Sequence, residues 1–286
     1  MKSLRHFLVG RGEERLHPDE PIMYWYYQEC IQRYLFASRF VRGQHVLDIG
    51  CGNGYGTGYI PSGGARAVVG LDLDRHAIEY AHSRGTQARY VWSDAMRLPF
   101  RRESFDVVIC FEVIEHVTDG WTLLRECTRV LRNEGILICS TPNRDTHYAL
   151  CMSPYHVYEY SLDDLSSALI AHYEQVAMAG QHYVNADDVE KYKMKDLAAT
   201  LAGSALFYAP FGNGIKQLLA KRVMPESRRI AFRDDFQRAA DPKFEVVPLD
   251  SKPGQVPATL VAVARRKRQD IEARNGRTDG PRRIDL

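Results

Sequence analysis

Four glycines at alternate positions, Gly50, Gly52, Gly54 and Gly56, follow the apolar run Val46-Leu47-Asp48-Ile49. A strand, a glycine turn and a helix-compatible segment let bare backbone approach a nucleotide-like ligand. The spacing narrows the ligand. A dinucleotide site needs Gly-x-Gly-x-x-Gly, and no register of Gly50, Gly52, Gly54, Gly56 and Gly58 supplies it. Two further carboxylates follow apolar runs. Asp72 stands 18 residues beyond Gly54, close to the ~20 at which an acidic residue accepts from ribose hydroxyls. A carboxylate there takes both hydroxyls and rejects a 2′-phosphate. Asp94 follows Tyr90-Val91-Trp92-Ser93. Taken singly, each Asp also suits the cap of a helix or turn. Three of them, each ending a successive strand beside a glycine turn, point to a ligand. A separate cluster mixes carboxylates with imidazoles: Glu112, Glu115 and His116, with His156 further on. Imidazole titrates near neutral pH, so His116 and His156 are the candidates for a general base. If the stretch from 112 is helical, Glu112, Glu115 and His116 share one face. The rival for His116 is structural, a hydrogen bond to a loop carbonyl.

These groups must be positioned by alternating strands and helices. Helical spacing runs from Ile22 to Val41, ended by Gly43. Strands are expected at 45–49, 67–71, 88–92, 105–110 and 135–140, and a sixth at 173–180. Helices are expected at 56–60, 73–84, 121–131 and 162–171, the last capped by Ser161 with Asp163 and Asp164 in its first turn. Segments 244–247 and 259–264 again read as strands, the latter closing the sheet. Apolar strands alternating with helices give an α/β fold, a Rossmann-like doubly wound, seven-stranded, mostly parallel sheet. The organisation expected is an N-terminal arm and helix covering the cofactor site (1–42), a core (43–183), a helical insertion (184–238), closing strands (239–265) and a disordered basic tail (266–286).

The chain has 286 residues, 45% apolar and 26% charged, with net charge +2. That is an ordinary globular composition, without the field that would demand nucleic acid. The basic run Arg265-Arg266-Lys267-Arg268 reads as a solvated tail. No run of roughly 18 apolar residues exists, so no membrane insertion is expected. Met1–Arg15 lacks a signal-peptide core. Six cysteines at 30, 51, 110, 127, 139 and 151 form no Cys-x-x-Cys pair. Reduced thiols and a cytoplasmic location are expected.

The Gly-x-Gly-x-Gly turn after Val-Leu-Asp closely resembles motif I of class I S-adenosylmethionine-dependent methyltransferases. Leu98-Pro99-Phe100, Ser104-Phe105-Asp106-Val107-Val108, Glu112-Val113-Ile114-Glu115-His116-Val117, Arg129–Gly135 and Ser140-Thr141-Pro142-Asn143 resemble the UbiG/UbiE-like subgroup. Asn133-Glu134 departs from it, where many relatives have Pro-Gly. Gly12–Arg15 and Glu29–Ala37 are similar to a segment of methyltransferases of glycan or natural-product glycoside biosynthesis, with Cys30 and Gln32 in place of the usual histidines. The resemblance spans about residues 12–181. It implies S-adenosyl-L-methionine as cofactor, with Asp48 near the methionine ammonium, Gly50, Cys51, Gly52 and Gly54 along the turn, and Asp72 with Leu73 at the ribose. Asp94 and Ala95 would meet the adenine, and Phe111 is placed in the same site. Arg33 would pair with the cofactor carboxylate, a surface salt bridge being its rival.

Methyl transfer from a sulfonium is an in-line displacement, for which an enzyme supplies proximity, orientation and, for an oxygen acceptor, removal of a proton. The segment Tyr155-His156-Val157-Tyr158-Glu159-Tyr160 resembles the Pro-Phe-His-x-x-Glu-Phe run of the same subgroup. Glu112, Glu115, His116 and His156 also make a set similar to the divalent-cation ligands of metal-dependent relatives. Whether a divalent cation is present, and which, is open from the sequence. Tyr24, Trp25, Tyr26, Tyr27, Tyr148, Tyr155, Tyr158 and Tyr160 crowd both ends of the expected pocket. The insertion, with Phe207–Gly212, would serve as a lid or a homodimer surface. The expectation is an O-methyltransferase acting on a small-molecule hydroxyl of a sugar or glycosylated metabolite. The alternatives are a quinone or phenol O-methyltransferase, an amino-sugar N-methyltransferase, or a non-catalytic cofactor-binding partner protein.

Overall fold

A computed structural model of the chain describes residues 24–145, 155–183, 244–252 and 256–266. Its contacts divide into two units, Arg33–His182 with Glu245–Leu286, and Met1–Gln32 with Tyr183–Phe244. Of the second unit, the described residues are Tyr24–Gln32, which open helix α1 (Tyr24–Ser38), together with Tyr183 and Phe244 at strand ends. The arm before residue 24, the insertion at 184–238 with Phe207–Gly212, the tail beyond 266, Tyr148 and Cys151 lie outside the described residues. So do the side chains of Tyr24–Tyr27.

The first unit carries the sheet. Its strands are β1 (His45–Ile49), β2 (Ala67–Asp72), β3 (Arg89–Trp92), β4 (Phe105–Phe111), β5 (Leu131–Pro142), β6 (Gln175–Tyr183), β7 (Phe244–Pro248) and β8 (Thr259–Arg265). Between them run α2 (Arg75–Ser83), α3 (Gly120–Val130) and α4 (Leu162–Ile170). The sheet order is β3-β2-β1-β4-β5-β8-β6-β7. β1 to β5 pair in parallel, and β8 runs antiparallel to both β5 and β6. The chain steps outward from β1 through β2 to β3, then returns to place β4 on the other side of β1. That reversal is the switch point at which open α/β sheets bind ligands.

Period-two alternation explains the burial. Leu47, Ile49, Val108, Leu137, Cys139, Leu260 and Ala262 face one core with Leu123, Leu124 and Cys127 of α3 and Leu165 and Leu169 of α4. Burying one such leucine stabilises the fold by about 1.5–3 kcal/mol. Ser161 caps α4 as the sequence predicts, in a reciprocal capping box with Asp164, and at α3 Asp119 accepts from Thr122 N–H, a cap the sequence reading did not name. The five described cysteines are buried free thiols. Among the described residues no helix is long and apolar enough to cross a membrane.

Four expectations are corrected. The sheet has eight strands, because Phe244–Pro248 joins it at the edge beside β6. β8 does not close the sheet; it lies inside, since Leu260–Ala264 is buried on both faces. An unbroken apolar run is what an interior strand requires. Segment 56–60 is not a helix but a series of turns leading into a 3₁₀ turn at Ile60–Gly63, because glycines at 54, 56 and 58 disfavour helix. Finally, Glu112–His116 is not an α-helix. Glu112 has φ 54° and only Ile114–His116 form a 3₁₀ turn.

Within β5, Glu134 takes φ 61°, a backbone conformation that favours glycine. A side chain in that left-handed region costs about 1–2 kcal/mol, part of which glycine returns through greater unfolded-chain entropy. Glu134→Gly is therefore expected to raise stability by about 0.5–1 kcal/mol, read as a higher urea midpoint at unchanged slope. The Glu134 carbonyl, which accepts from Arg265 Nη1, survives the change.

Candidate functional site

The glycine turn leaves β1 beside β4, whose register partner for Ile49 is Cys110. Gly50 and Cys51 N–H groups both donate to the Leu71 carbonyl, at 2.8 and 3.0 Å, which folds the turn back onto β2. Its glycines differ in what demands them. A Cβ on Gly50 would strike the Val113 side chain, and one on Gly54 would sit 2.8 Å from Ala81 and Tyr90. Among the described residues, a Cβ on Gly52 would meet nothing within 4 Å, although φ is 51° there. Gly50 and Gly54 are thus fixed by packing, and Gly52 faces open space, as a cradle for a ligand does. Tyr90 braces the turn from beneath, donating to the Gly54 carbonyl at 3.3 Å. Burial pushes its hydroxyl up to about 12.

Asp48 lies under the turn with no exposure. Its Oδ2 accepts from Thr57 Oγ1 at 2.5 Å and from Tyr34 Oη at 3.0 Å. Its Oδ1 is buried without a partner, so one polar atom awaits a donor such as an ammonium. Burial pushes this carboxyl from 3.8 up to about 7, against the hydrogen bonds from Thr57 and Tyr34. The sign for stability follows. The unfolded carboxyl ionises near pH 4 and the folded one near 7, so the folded chain holds the extra proton between them. Stability is full below pH 4 and is lost as pH rises through 7, by about 4 kcal/mol at about 1.4 kcal/mol per unit. Asp48→Asn, neutral and of the same shape, is expected to flatten this slope in urea denaturation of the ligand-free chain at pH 5 and pH 8.

Asp72 joins the turn to β2: its Oδ2 accepts from Gly52 N–H at 2.8 Å and its Oδ1 from Asp74 N–H at 2.9 Å. Leu73 beside it is exposed. Asp94 does the local work of a lone Asp, accepting from Met96 N–H to cap the 3₁₀ turn at Ala95–Arg97. Cys51 is buried, and burial followed by the charges of Asp48 and Asp72 keeps it a thiol. Phe111 packs edge-on to Tyr34 with centroids 5.2 Å apart. Arg33 is buried, which removes the surface salt-bridge reading, and its Nη1 donates to Gln181 Oε1 of β6 at 2.7 Å.

The mixed cluster stands at the end of β4. Consecutive residues of β5 hold its two carboxylates: Ser140 Oγ donates to Glu112 Oε1 at 2.6 Å, and Thr141 Oγ1 to Glu115 Oε2 at 3.0 Å. Glu115 Oε1 is buried without a partner. Burial, and then the nearby Glu112 charge, hold the Glu115 carboxyl well above the usual range. The 155–160 segment is fastened over this point. Val157 and Tyr158 N–H groups donate to the Glu115 carbonyl at 2.7 and 3.2 Å, and His116 Nδ1 lies 3.3 Å from the Tyr155 carbonyl. His116 and His156 meet edge-to-face with centroids 4.8 Å apart. His156 Nδ1 is 2.6 Å from Glu159 Oε1. One ligand atom each from Glu115, His116 and His156 lies within 4.8 Å of the others. Glu112 stands outside that group, so the four-residue set expected from sequence contracts to three. A carboxylate with two imidazoles suits a divalent cation without choosing among several.

Sequence reasoning gave no individual role to Tyr34, Thr57, Ser140, Thr141 or Glu159. Glu159 was visible, three residues beyond His156 in a His-x-x-Glu run. Tyr34 had no such signal, because its partner Asp48 is remote in sequence and its ring is called for only by the space above Gly56.

Residues 47–139 match a family described as a methyltransferase domain. Over 172 residues the chain is 38% identical to a probable S-adenosylmethionine-dependent methyltransferase of Mycobacterium tuberculosis, covering 58% of this chain and 62% of that one. It is 31% identical over 117 residues to a ubiquinone biosynthesis O-methyltransferase of Coxiella burnetii, covering 40% and 50%. The matches thus span about half to three-fifths of these relatives' lengths. In structure it is similar to a methyltransferase of Thermotoga maritima described as a possible histamine N-methyltransferase, with TM-score 0.54, 15% identity, and coverage of 93% and 95%.

Proposed function

We propose that this chain, whose residues 47–139 carry a methyltransferase domain, transfers a methyl group from S-adenosylmethionine to a small-molecule hydroxyl, the acceptor being a sugar or glycosylated metabolite. The open Gly52 cradle, the unpartnered Oδ1 of Asp48 and the Asp72 carboxylate fit the cofactor's backbone, ammonium and ribose. The cofactor supplies an electrophilic methyl on a sulfonium. The chain's own contribution is orientation and proton removal.

The observation that carries oxygen as acceptor is the His156–Glu159 contact. A carboxylate 2.6 Å from Nδ1 fixes the ring's tautomer and stabilises the imidazolium that forms when Nε2 takes a proton. His116 faces a carbonyl instead, which holds its Nδ1 as a donor and suits a neutral, orienting ring. Exposed Tyr155 and Tyr158 border the pair and offer the ring faces on which sugars and phenols stack. The test is transfer of labelled methyl to a panel of sugar, phenol and amine acceptors. Labelling of hydroxylated sugars supports the reading, and turnover on amines alone overturns it. Binding of cofactor with no turnover on any acceptor would favour a non-catalytic partner.

The Coxiella relative supports a second reading, in which the hydroxyl belongs to a quinone or phenol. Glu115, His116 and His156 support a divalent cation as the rival to the His156 base: with Nδ1 held by Glu159, the Nε2 that ligates a cation cannot also take the proton, and the cation would instead polarise the acceptor hydroxyl. Exhaustive EDTA treatment separates the two: full activity after EDTA leaves His156 as the base, and loss of turnover that added cation restores makes His156 a ligand.

A further inference from the structure

Two large apolar side chains stand in water beside the glycine turn: Leu73 is 67% exposed and Trp92, the last residue of β3, is 58% exposed. They are joined. Trp92 Nε1 donates to the Leu73 carbonyl at 2.8 Å. An exposed indole N–H has water available to it, so burial does not force this bond; the geometry of the strand ends provides it. Trp92 is the register partner of Asp72, and Ser93 N–H donates to the Asp72 carbonyl at 3.0 Å. The Arg75 guanidinium lies 5.9 Å from the centre of the indole and also pairs with Glu79. The ring is therefore held from its nitrogen and its face while remaining open to solvent.

What it holds is the turn 72–74. Asp72 reaches from that turn to Gly52 N–H, the open point of the cradle, and to Asp74 N–H, while Asp74 caps α2. We infer that Trp92 is a positioning residue for the adenosine end of the cofactor site: its indole N–H fixes the Leu73 carbonyl, and with it the turn that presents Asp72 to a purine nucleoside's ribose. This rests on the cofactor reading proposed above. Leu73 and Trp92 together give the nucleoside an apolar rim that water covers in its absence.

The test is calorimetric titration of wild type and Trp92→Phe with S-adenosylhomocysteine, with tryptophan emission followed in parallel. The variant keeps an aromatic ring and loses the donor. It is expected to bind about three- to tenfold more weakly, the range of one neutral hydrogen bond, with an unchanged unfolding midpoint without ligand. Wild-type emission is expected to change on titration, and the change to shrink in the variant, which keeps Trp25 and Trp121. A merely structural role would move the midpoint and not the ligand-dependent emission. Equal affinity of the two proteins, or a ligand-dependent emission change of undiminished size in the variant, overturns the inference. Failure of both proteins to bind S-adenosylhomocysteine instead overturns the cofactor reading beneath it.

Discussion

Gly52→Leu is expected to weaken S-adenosylhomocysteine binding by more than about two orders of magnitude, over ~3 kcal/mol, while the chain still folds. Among the described residues, nothing but the chain neighbours lies within 4 Å of the added Cβ, so the side chain enters the space that the cradle leaves open. The backbone is already left-handed at φ 51°, which adds about 1–2 kcal/mol of strain. The neighbouring glycines supply the contrast. Gly54→Ala drives a methyl into Ala81 and Tyr90, and Gly56→Ala drives one into the Tyr34 ring. Both are expected to lower the unfolding midpoint, because overpacking costs about 1–3 kcal/mol. Calorimetric titration beside thermal unfolding separates the two classes. Wild-type affinity in Gly52→Leu would mean that the ligand does not approach the turn.

His156→Gln is expected to lower kcat by about 10²- to 10³-fold, as loss of a general base does. Cofactor affinity should be unaffected, since His156 stands with His116 and Glu159 at the end of β4 and not in the glycine turn. Glu159→Gln should show a smaller loss of the same kind, because it keeps the ring's place and removes the charge beside it. His116→Gln should cost less than His156→Gln, its Nδ1 facing a carbonyl rather than a carboxylate. Steady-state kinetics on any acceptor found in the labelled panel measures all three. Near-wild-type kcat in His156→Gln would move the proton's destination elsewhere.

The half of the site proposed for the cofactor was legible for a physical reason. Asp48, the glycines and Asp72 are close in sequence and are tied by backbone rules: strand alternation, left-handed turns and carboxylates at strand ends. The strand order then places them at the switch point. The other half depends on contacts between distant segments. Nothing in Glu112–His116 announces that Glu112 will take φ 54° and leave the group formed by Glu115, His116 and His156. Ser140 and Thr141 looked like the end of a strand, and only the β4–β5 pairing makes them the donors to Glu112 and Glu115. The place of β8 was misread for the same reason. Its apolar run proclaimed an interior strand, but its neighbours β5 and β6 are chosen in three dimensions.

The segment after residue 155 is moored through main-chain atoms: the Val157 and Tyr158 amides hold the Glu115 carbonyl, and the Tyr155 carbonyl meets His116. Such a mooring does not depend on the identity of the side chains that the segment displays. Residues 155 and 157 can therefore be exchanged as a cassette without casting the loop adrift, while the glycine turn across the β1–β4 seam stays untouched. Under the proposed function, a scaffold partitioned in this way can be retuned toward a new acceptor by drift or by design, with its cofactor chemistry carried along unchanged.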